Sequence, residues 1–531
     1  MSEASDALAN TRRVRPLRKF VAALAGGVLA SGVLAACGSD SSTAEEKAIT
    51  TLRVDVQSEP STLDPIALND TPAQRVWRLV YDSLYDWNES TKEVEPQLAA
   101  SMPEVSADQL TYTIRLREDV VWHDGSAMTA DDVVFTYEQV QDADNASVWR
   151  STVAAVKTVE KVDDHTVKFT LNNRYTYFPE KLAMVPIISK AKGYKPNGEL
   201  SRTMLGTGPF KFDSWRTGEL IRLVRNEKYY EGVPALEAVE FHVVPEDATR
   251  VANLRNGTTH IVPEISPALL GSVRQAGHRA DIVTENVTRI YLYPNLQGGR
   301  LTADPEIRQA IAWAIDRKAI IDTVYNGAAR SASTYLSFGS QYHNEELGNH
   351  FGDGAKYDVA RQHIAAAKAK PGKKLNFVVN NLPALVDTAA IIQRSLAQVG
   401  IEVEIEPMDF GALVPRLLDQ KYDLLLTTAP VSVTAGFAPD YPAIGLHSKS
   451  VPNWNRFTDE RMDQLLTAAQ QAARGEESER AWAAVQEYDL KTLGQIQLVS
   501  AQYTEAYSKD LTNYTPSKLA WLHNIPNIGT N

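Results

Sequence analysis

The chain has 531 residues, of which 44% are hydrophobic and 23% are charged, and its formal net charge is −12. Because a single hydrophobic core stops growing near about 250–300 residues, this length predicts at least two domains. The acidic balance argues against nucleic acid or an anionic lipid surface as the general partner. The single cysteine, Cys37, excludes internal disulfides, CxxC redox chemistry and thiolate metal clusters.

The first 36 residues have the layout of an export signal. The apolar run "FVAALAGGVLASGVLAA" follows a basic cluster made of Arg12, Arg13, Arg15, Arg18 and Lys19. The run is short and rich in Gly and Ala for a membrane-spanning helix, which needs about 20 apolar residues. Removal of residues 1–36 takes away five basic and two acidic side chains, so the net charge changes from −12 to −15.

The stretch "LAAC", which ends at Cys37 and precedes Gly38, resembles the bacterial lipobox. In a lipobox the cysteine is lipidated and becomes the mature N-terminus, and two acyl chains give stable anchoring. We therefore predict a lipoprotein signal peptide over residues 1–36 and a flexible, polar tether over residues 37–48. An ordinary signal peptide with an incidental cysteine is the alternative, and the Arg12-Arg13 pair leaves twin-arginine export open beside Sec export.

Alternation of apolar and polar residues predicts strands in the first half of the folded body. Asp124-Gly125 predicts a tight turn, and Thr129 is placed to cap a helix with acidic residues in its first turn. The predicted strands are "TLRVDVQ", "LTYTIRL", "DHTVKFTL", "KFDSW" and "AVEFHVVP", and "DATRVANLRN" reads as a helix.

Helical patterns dominate the second half. The stretch "DPEIRQAIAWAIDRKAIIDTVY" predicts two helices that are broken around Asp316, and "YDVARQHIAAAKA" predicts another. A βαβαβ run follows from Leu375 to Thr428, which implies a parallel sheet covered by helices. The fold class predicted from the sequence is α/β.

Enzyme signatures are missing from the sequence. There is no GxSxG or GxxxxGK[ST] motif, and the ten histidines show no metal-ligand spacing. "GTG" (Gly206–Gly208) is followed by Pro209 and a strand, which disfavours a dinucleotide site because that site needs a helix N-terminus. His123 and Asp124 are adjacent at a turn, which disfavours a catalytic pair. We therefore expect no enzyme activity, no metal and no cofactor.

Several stretches together resemble the solute-binding proteins of family 5, which serve peptide-, oligopeptide- and nickel-type ABC importers. They are "SEPSTLDP", the block Val94–Val140, "GTGPFKFDSW" with "NEKYYEG", "DPEIRQAIAWAIDRKAII", "AAIIQRSLAQVGIEVEI" and "YDLLLTT". The likeness covers residue 51 to the C-terminus in consistent order. It implies a periplasmic-binding-protein-like fold (type II, large peptide-binding subgroup) with two hinged lobes plus an extra domain.

The resemblance also implies a division of the chain. Lobe I takes residues 49–85, 203–287 and 501–531, the extra domain takes residues 86–202, and lobe III takes residues 288–500. The block Val94–Val140 then has a structural role, while the ligand is buried between lobes I and III.

Ligand contacts are implied by position, in the loops after "LDP", "NFVVN" and "YDLLLTT". In peptide binders of the family, an Asp in the last loop takes the ligand's ammonium, and in the dipeptide type an Arg in the second takes its carboxylate. This chain has no Arg between Asn376 and Thr388, and Asp440 comes later than the expected Asp. The candidate ligand-binding residues, which include two aromatic ones, are Asn69, Asp70, Thr71, Asn380, Asn381, Ser432, Thr434, Asp440, Tyr441 and Trp454.

The expected function is therefore that of a monomeric, lipid-anchored binding protein at the extracytoplasmic face of the membrane. It captures an oligopeptide by lobe closure and delivers it to the permease of an ABC importer. A non-peptide polar solute (a metal chelate, haem or a sugar) is the alternative within the family. A surface-anchored hydrolase, or a signalling or adhesive module that has lost transport, is the alternative outside it.

Overall fold

The computed structural model describes residues 49–67, 71–336, 338, 340–429, 445–449, 453–518, 522, 525 and 528, without the side chains of residues 284–287, 410, 411, 414 and 429. In chain order the strands are β1 Thr51–Val56, β2 Tyr85–Asn88, β3 Glu93–Pro96, β4 Glu104–Val105, β5 Thr111–Arg115, β6 Val156–Asp163, β7 Thr166–Leu171, β8 Phe210–Arg216, β9 Leu220–Arg225, β10 Ala238–Val243, β11 Ile261–Pro263, β12 Arg279–Pro294, β13 Ala329–Ser331, β14 Leu375–Asn380, β15 Val403–Met408, β16 Leu424–Ala429 and β17 Ile496–Tyr507.

The helices fall mostly in the second half of the chain. They are α1 Thr71–Trp77, α2 Ala130–Gln141, α3 Phe178–Leu182, α4 Asp247–Arg255, α5 Leu270–Gln275, α6 Pro305–Ala314, α7 Arg317–Thr323, α8 Glu345–Gly348, α9 Tyr357–Ala366, α10 Pro383–Ala397, α11 Phe410–Leu418, α12 Glu460–Gln471 and α13 Glu476–Thr492. Among the described residues, no helix has both the length and the apolar character that crossing a membrane requires.

One mixed sheet connects most of these strands, in the spatial order β15-β14-β16-β12-β17-β11-β1-β10-β9-β8. Its two longest strands, β12 and β17, are antiparallel neighbours at its centre. A separate sheet, β4-β5-β7-β6, and the hairpin β2-β3 come from residues 85–171. The α/β fold expected from the sequence is confirmed.

Local sequence explains the best-formed helices. The Thr129 backbone N–H donates to the Asp132 carboxylate at 2.9 Å, so the predicted cap at the start of α2 is confirmed. Asp316 ends one helix and caps the next, because its carboxylate accepts from the Ala319 N–H at 3.0 Å. The predicted βαβαβ run is also confirmed, since β14 is parallel to both β15 and β16.

Two large hydrophobic cores are present among the described residues. One contains Ile290, Leu292 and the inner faces of α6, α7, α9 and α10. The other extends from β1 through the β4-β5-β7-β6 sheet and also takes in Met462 and Trp482 of α12 and α13. The Tyr177 hydroxyl accepts a hydrogen bond from Trp482 Nε1 at 3.0 Å, which joins these helices to the chain before α3.

The "GTG" motif (Gly206–Gly208) and the adjacent pair His123 and Asp124 contact each other. His123 Nε2 lies 2.9 Å from the Gly208 carbonyl oxygen, and the His123 N–H donates to the Gly206 carbonyl at 2.9 Å. Burial lowers the pKa of His123 to about 4. Asp124 instead accepts hydrogen bonds from the N–H and hydroxyl of Ser126. Both motifs therefore have structural roles.

The glycines of "GTG" allow a close approach of two backbone segments. A Cβ on Gly206 would lie 1.8 Å from the Val80 carbonyl oxygen, and the Gly208 N–H donates to that oxygen at 2.9 Å. We predict that Gly206→Ala lowers the free energy of unfolding by about 3 kcal/mol, because the added methyl displaces backbone rather than a side chain. Urea unfolding measures the change. Gly354→Ala is the matched control, since nothing lies within 4 Å of its Cβ position; equal effects would contradict the prediction.

Asp82 is a buried acid beside the same motif. Its carboxylate accepts from Thr207 Oγ1 at 2.8 Å and from Gln97 Nε2 at 3.1 Å, and burial raises its pKa from 3.8 to about 7. Between these two pH values the folded state holds a proton that the unfolded state lacks. Stability from this group is therefore lost as pH rises from about 4 to 7.

We predict that Asp82→Asn removes this loss, because an amide does not titrate. Relative to the wild type, the variant gains roughly 2–3 kcal/mol of unfolding free energy between pH 5 and pH 8. Urea unfolding at both pH values measures the difference, and the exposed Asp213→Asn serves as the control. A difference between variant and wild type that does not change with pH would contradict the prediction.

Candidate ligand-binding site

The ends of the parallel strands locate the candidate site. In β11, Ile261 is opposite Tyr507 and Pro263 is opposite Glu505, so its carboxyl end points toward the middle of β17. β1 is parallel to both β11 and β10, so their carboxyl ends lie at the same edge.

The strands on the other side of the β12–β17 pair point toward the same place. β16 is antiparallel to β12, with Leu424 opposite Pro294 and Ala429 opposite Arg289. Its carboxyl end, and those of the parallel β14 and β15, therefore point toward the middle of β12. Ligands of open α/β sheets bind outside the carboxyl ends of the strands, which places the candidate site where the two groups of strands converge.

The β12–β17 ladder is interrupted at this point. Val283 is opposite Tyr503, and the next pair is Val287 opposite Gln502. Three residues of β12 thus have no partner on β17, which is the arrangement of a bulge that bends a strand pair.

A polar row crosses the sheet on the second side, where Asn380, Thr427 and Tyr291 share a face. Leu426 pairs with Val379, so the register continues to place Asn380 beside Thr427, and Thr427 is opposite Tyr291. Tyr291 and Thr427 are buried and Asn380 is half-buried. These neutral groups both donate and accept hydrogen bonds, which suits the amides of a peptide backbone.

Arg289 is the next residue of β12 on this face, two residues from Tyr291 and nearer to the ladder interruption. Its side chain is 3% exposed, and its Nη1 donates to the Tyr335 carbonyl oxygen at 3.4 Å. The sequence reasoning missed Arg289, although "TRIYLY" carries a signal. In that stretch Arg289, Tyr291 and Tyr293 alternate with apolar residues, so the arginine belongs to one face of a buried strand.

Asn381 and Trp454 lie on the same side of the candidate site as β14 and β16. The Asn381 N–H donates to the Met408 carbonyl at 3.0 Å, which holds the ends of β14 and β15 together. Trp454 is half-buried, with its ring centroid 6.5 Å from that of Tyr293. The Trp454 carbonyl accepts from the Tyr422 hydroxyl at 2.7 Å, which ties the backbone of this segment to Tyr422.

Thr71 begins α1, which follows β1 in the first group of strands. Four residues later, Arg75 is 2% exposed, forms a 3.0 Å ion pair with Glu264 and lies over the Tyr503 ring. Burial alone would lower the pKa of Arg75, but Glu264, with Tyr503 and Glu505, outweighs it and raises that pKa. Glu264 follows β11 with a φ of 53°, a conformation that non-glycine residues rarely adopt. On this side of the candidate site, the charge of Arg75 is therefore already neutralised by Glu264.

The remaining predicted residues lie outside the described part of the chain. They are Asn69, Asp70, Ser432, Thr434, Asp440, Tyr441 and the predicted lipidation site, Cys37. Within the described part, no group of three or more His, Cys, Asp or Glu side chains is arranged to hold a metal ion. The candidate site offers hydrogen bonds, aromatic surface and a buried arginine, Arg289, that pairs with no described carboxylate, which are means of binding a solute.

Comparison with known proteins finds a matching family model and relatives that bind solutes. Residues 93–449 match the family model for bacterial extracellular solute-binding proteins, family 5. The oligopeptide-binding protein AppA of Bacillus subtilis is 28% identical over 393 residues, covering 69% of this chain and 70% of that protein. Heme-binding protein A of Haemophilus influenzae is 28% identical over 422 residues, covering 73% of this chain and 76% of that protein.

A solved structure shares the fold. The ABC transporter substrate-binding protein CtaP from Listeria monocytogenes superposes with a TM-score of 0.78 at 24% identity, over 91% of this chain and 99% of that one. The family match extends over more than half of the sequence and includes β14–β16 of the candidate site. The chain belongs to the bacterial extracellular solute-binding proteins of family 5.

Proposed function

We propose that this protein is the lipid-anchored binding component of an ABC importer, which captures an oligopeptide outside the cytoplasm and delivers it to the permease. The observation that carries the proposal is the convergence of two groups of strand ends on the interrupted β12–β17 ladder. Two walls joined by a bend can close around a ligand and change shape on binding. The protein acts as a monomer and carries out no covalent chemistry.

The proposed division of the chain follows the same feature. Lobe I is residues 49–85, 203–287 and 501–531, the extra domain is residues 86–202, and lobe III is residues 288–500. The boundaries at residues 287 and 500 lie within four residues of the ladder interruption, which supports them. The α12–α13 hairpin contacts the extra domain through Trp482 and Tyr177, so lobe III also contacts a part of the chain outside the cleft.

Two observations support an oligopeptide as the ligand. They are the polar row Asn380, Thr427 and Tyr291 and the likeness to the oligopeptide-binding AppA. Side-chain amides and hydroxyls hold a peptide backbone without regard to its sequence, which suits ligands of varied length. A non-peptide polar solute is the second candidate, because heme-binding protein A is as similar to this chain as AppA is.

Native mass spectrometry of the full chain, purified in detergent without added ligand, tests the ligand class. We expect the native mass to exceed the denatured mass, and fragmentation of the released material to give peptides of varied sequence and similar length. Release of a single non-peptide compound would contradict the oligopeptide assignment and support the second candidate, a non-peptide polar solute. Turnover of a released peptide by the protein would instead favour the hydrolase.

The membrane anchor has a separate test. We predict that Cys37→Ala abolishes incorporation of a labelled fatty acid and releases the protein from the membrane fraction, because Cys37 is the only thiol in the sequence. Metabolic labelling and fractionation of the producing bacterium measure both effects. Ser41→Ala, in the same polar segment, is the control and is expected to behave as wild type. If the wild-type protein incorporates no labelled fatty acid, the proposed lipid anchor is wrong.

A further inference from the structure

Arg289 is a buried cation with little compensation. Its side chain is 3% exposed, its Nε has no hydrogen-bond partner, and its Nη1 makes one long contact of 3.4 Å. No carboxylate among the described side chains forms an ion pair with it. Burying a charge without a partner costs several kcal/mol, so proteins rarely leave one in this state.

Other buried arginines in the same half of the molecule are satisfied by the protein itself. Arg317 donates from all three guanidinium nitrogens to carbonyl oxygens, at 2.9–3.3 Å. Arg308 donates to three carbonyl oxygens, at 2.8–3.2 Å. These contacts are those of arginines that hold a fold together, and Arg289 lacks them.

Among the described side chains, no ionised carboxylate lies against Arg289. Its guanidinium also hydrogen-bonds the neutral Tyr291 hydroxyl, which in turn contacts the Tyr335 carbonyl. Asp489 is the acidic group near Tyr291, but burial raises its pKa well above the ordinary value, which favours the uncharged acid. The described residues therefore provide no ionised partner for the charge of Arg289.

The position of Arg289 indicates where that group comes from. It is opposite Ala429, the last residue of β16, on the face that carries Asn380, Thr427 and Tyr291. It is also two residues from Val287, where the β12–β17 ladder resumes after its interruption. The unused donor thus lies on the lobe III wall of the proposed cleft.

We propose that Arg289 binds a carboxylate of the transported solute, so that the ligands of this protein are carboxylic acids held by that group in lobe III. This inference rests on the proposed function, and for an oligopeptide the group is the C-terminal carboxylate or an acidic side chain. A guanidinium and a carboxylate form charge-assisted, often bidentate, hydrogen bonds. Arg289 would then supply the cation that the segment between Asn376 and Thr388 lacks.

The test compares paired probes that differ only in the carboxylate. One pair is a mixed-sequence pentapeptide library with free C-terminal acids and the same library with C-terminal amides. The other pair is the material released from the purified protein, before and after methyl esterification. Thermal-shift titrations of the full chain in detergent, freed of ligand by reversible unfolding, give apparent affinities for wild type, Arg289→Gln and Arg289→Lys.

We expect the wild type to bind at least one acid probe about 30-fold or more tightly than its neutral counterpart. Arg289→Gln should bind the two members of that pair equally, and Arg289→Lys should recover part of the preference. Without ligand, Arg289→Gln should melt no lower than the wild type, because it removes an unpaired charge. Arg308→Gln is the matched control, which should melt lower yet keep the preference for the acid.

The failures of the two proposals are distinguishable. Wild type that binds the neutral probes as tightly as the acids, or Arg289→Gln that keeps the preference, would overturn the role of Arg289 and leave solute binding intact. Wild type that binds none of the probes, and releases nothing on denaturation, would overturn the proposed function and this inference together.

Discussion

The antiparallel pair β12–β17 is the element on which both halves of the fold depend. β11 and its parallel neighbours attach to one end of it, and β16 and its neighbours attach to the other. Because each attachment is antiparallel, each group of strands turns its carboxyl ends toward the middle of the pair. The interruption between Val283 and Val287 lies at that point, so bending there would move the two candidate walls relative to each other.

Much of this fold could be predicted from sequence because its signals are local. Thr129 and Asp316 cap helices within three residues of themselves, and "LNFVVN" is the short apolar run of a buried parallel strand. The site is different, since Arg289, Thr427 and Asn380 are separated in sequence and meet through strand register alone. Its loops at Asn69 and Asp440 lie outside the described residues and stay predictions. The ion pair of Arg75 with Glu264, 189 residues apart, has no local signal either.

The "GTG" motif and the adjacent residues His123 and Asp124 show why a short motif needs its structural context. Gly206 and Gly208 have no side chain because the Val80 backbone occupies that space. The neutral ring of His123 accepts from the Gly206 N–H and contacts the Gly208 carbonyl oxygen, and its backbone N–H donates to the Gly206 carbonyl. The same residues on a strand-to-helix turn would leave backbone N–H groups free for a phosphate. Here the glycines serve close packing, and the motif ties the chain before β8 to the block that contains α2.

The two walls of the proposed cleft differ in how they treat a buried cation, and this difference bears on closure. Arg75 is neutralised by Glu264 before any ligand arrives, whereas Arg289 has no described carboxylate partner. A ligand shifts the equilibrium between open and closed lobes only by its difference in affinity for the two states. If closure without ligand buries the charge of Arg289 uncompensated, the empty protein is biased toward the open state. On the proposed role of Arg289, a bound carboxylate would remove that cost, and one side chain would couple the chemistry of the ligand to the shape presented to the proposed permease.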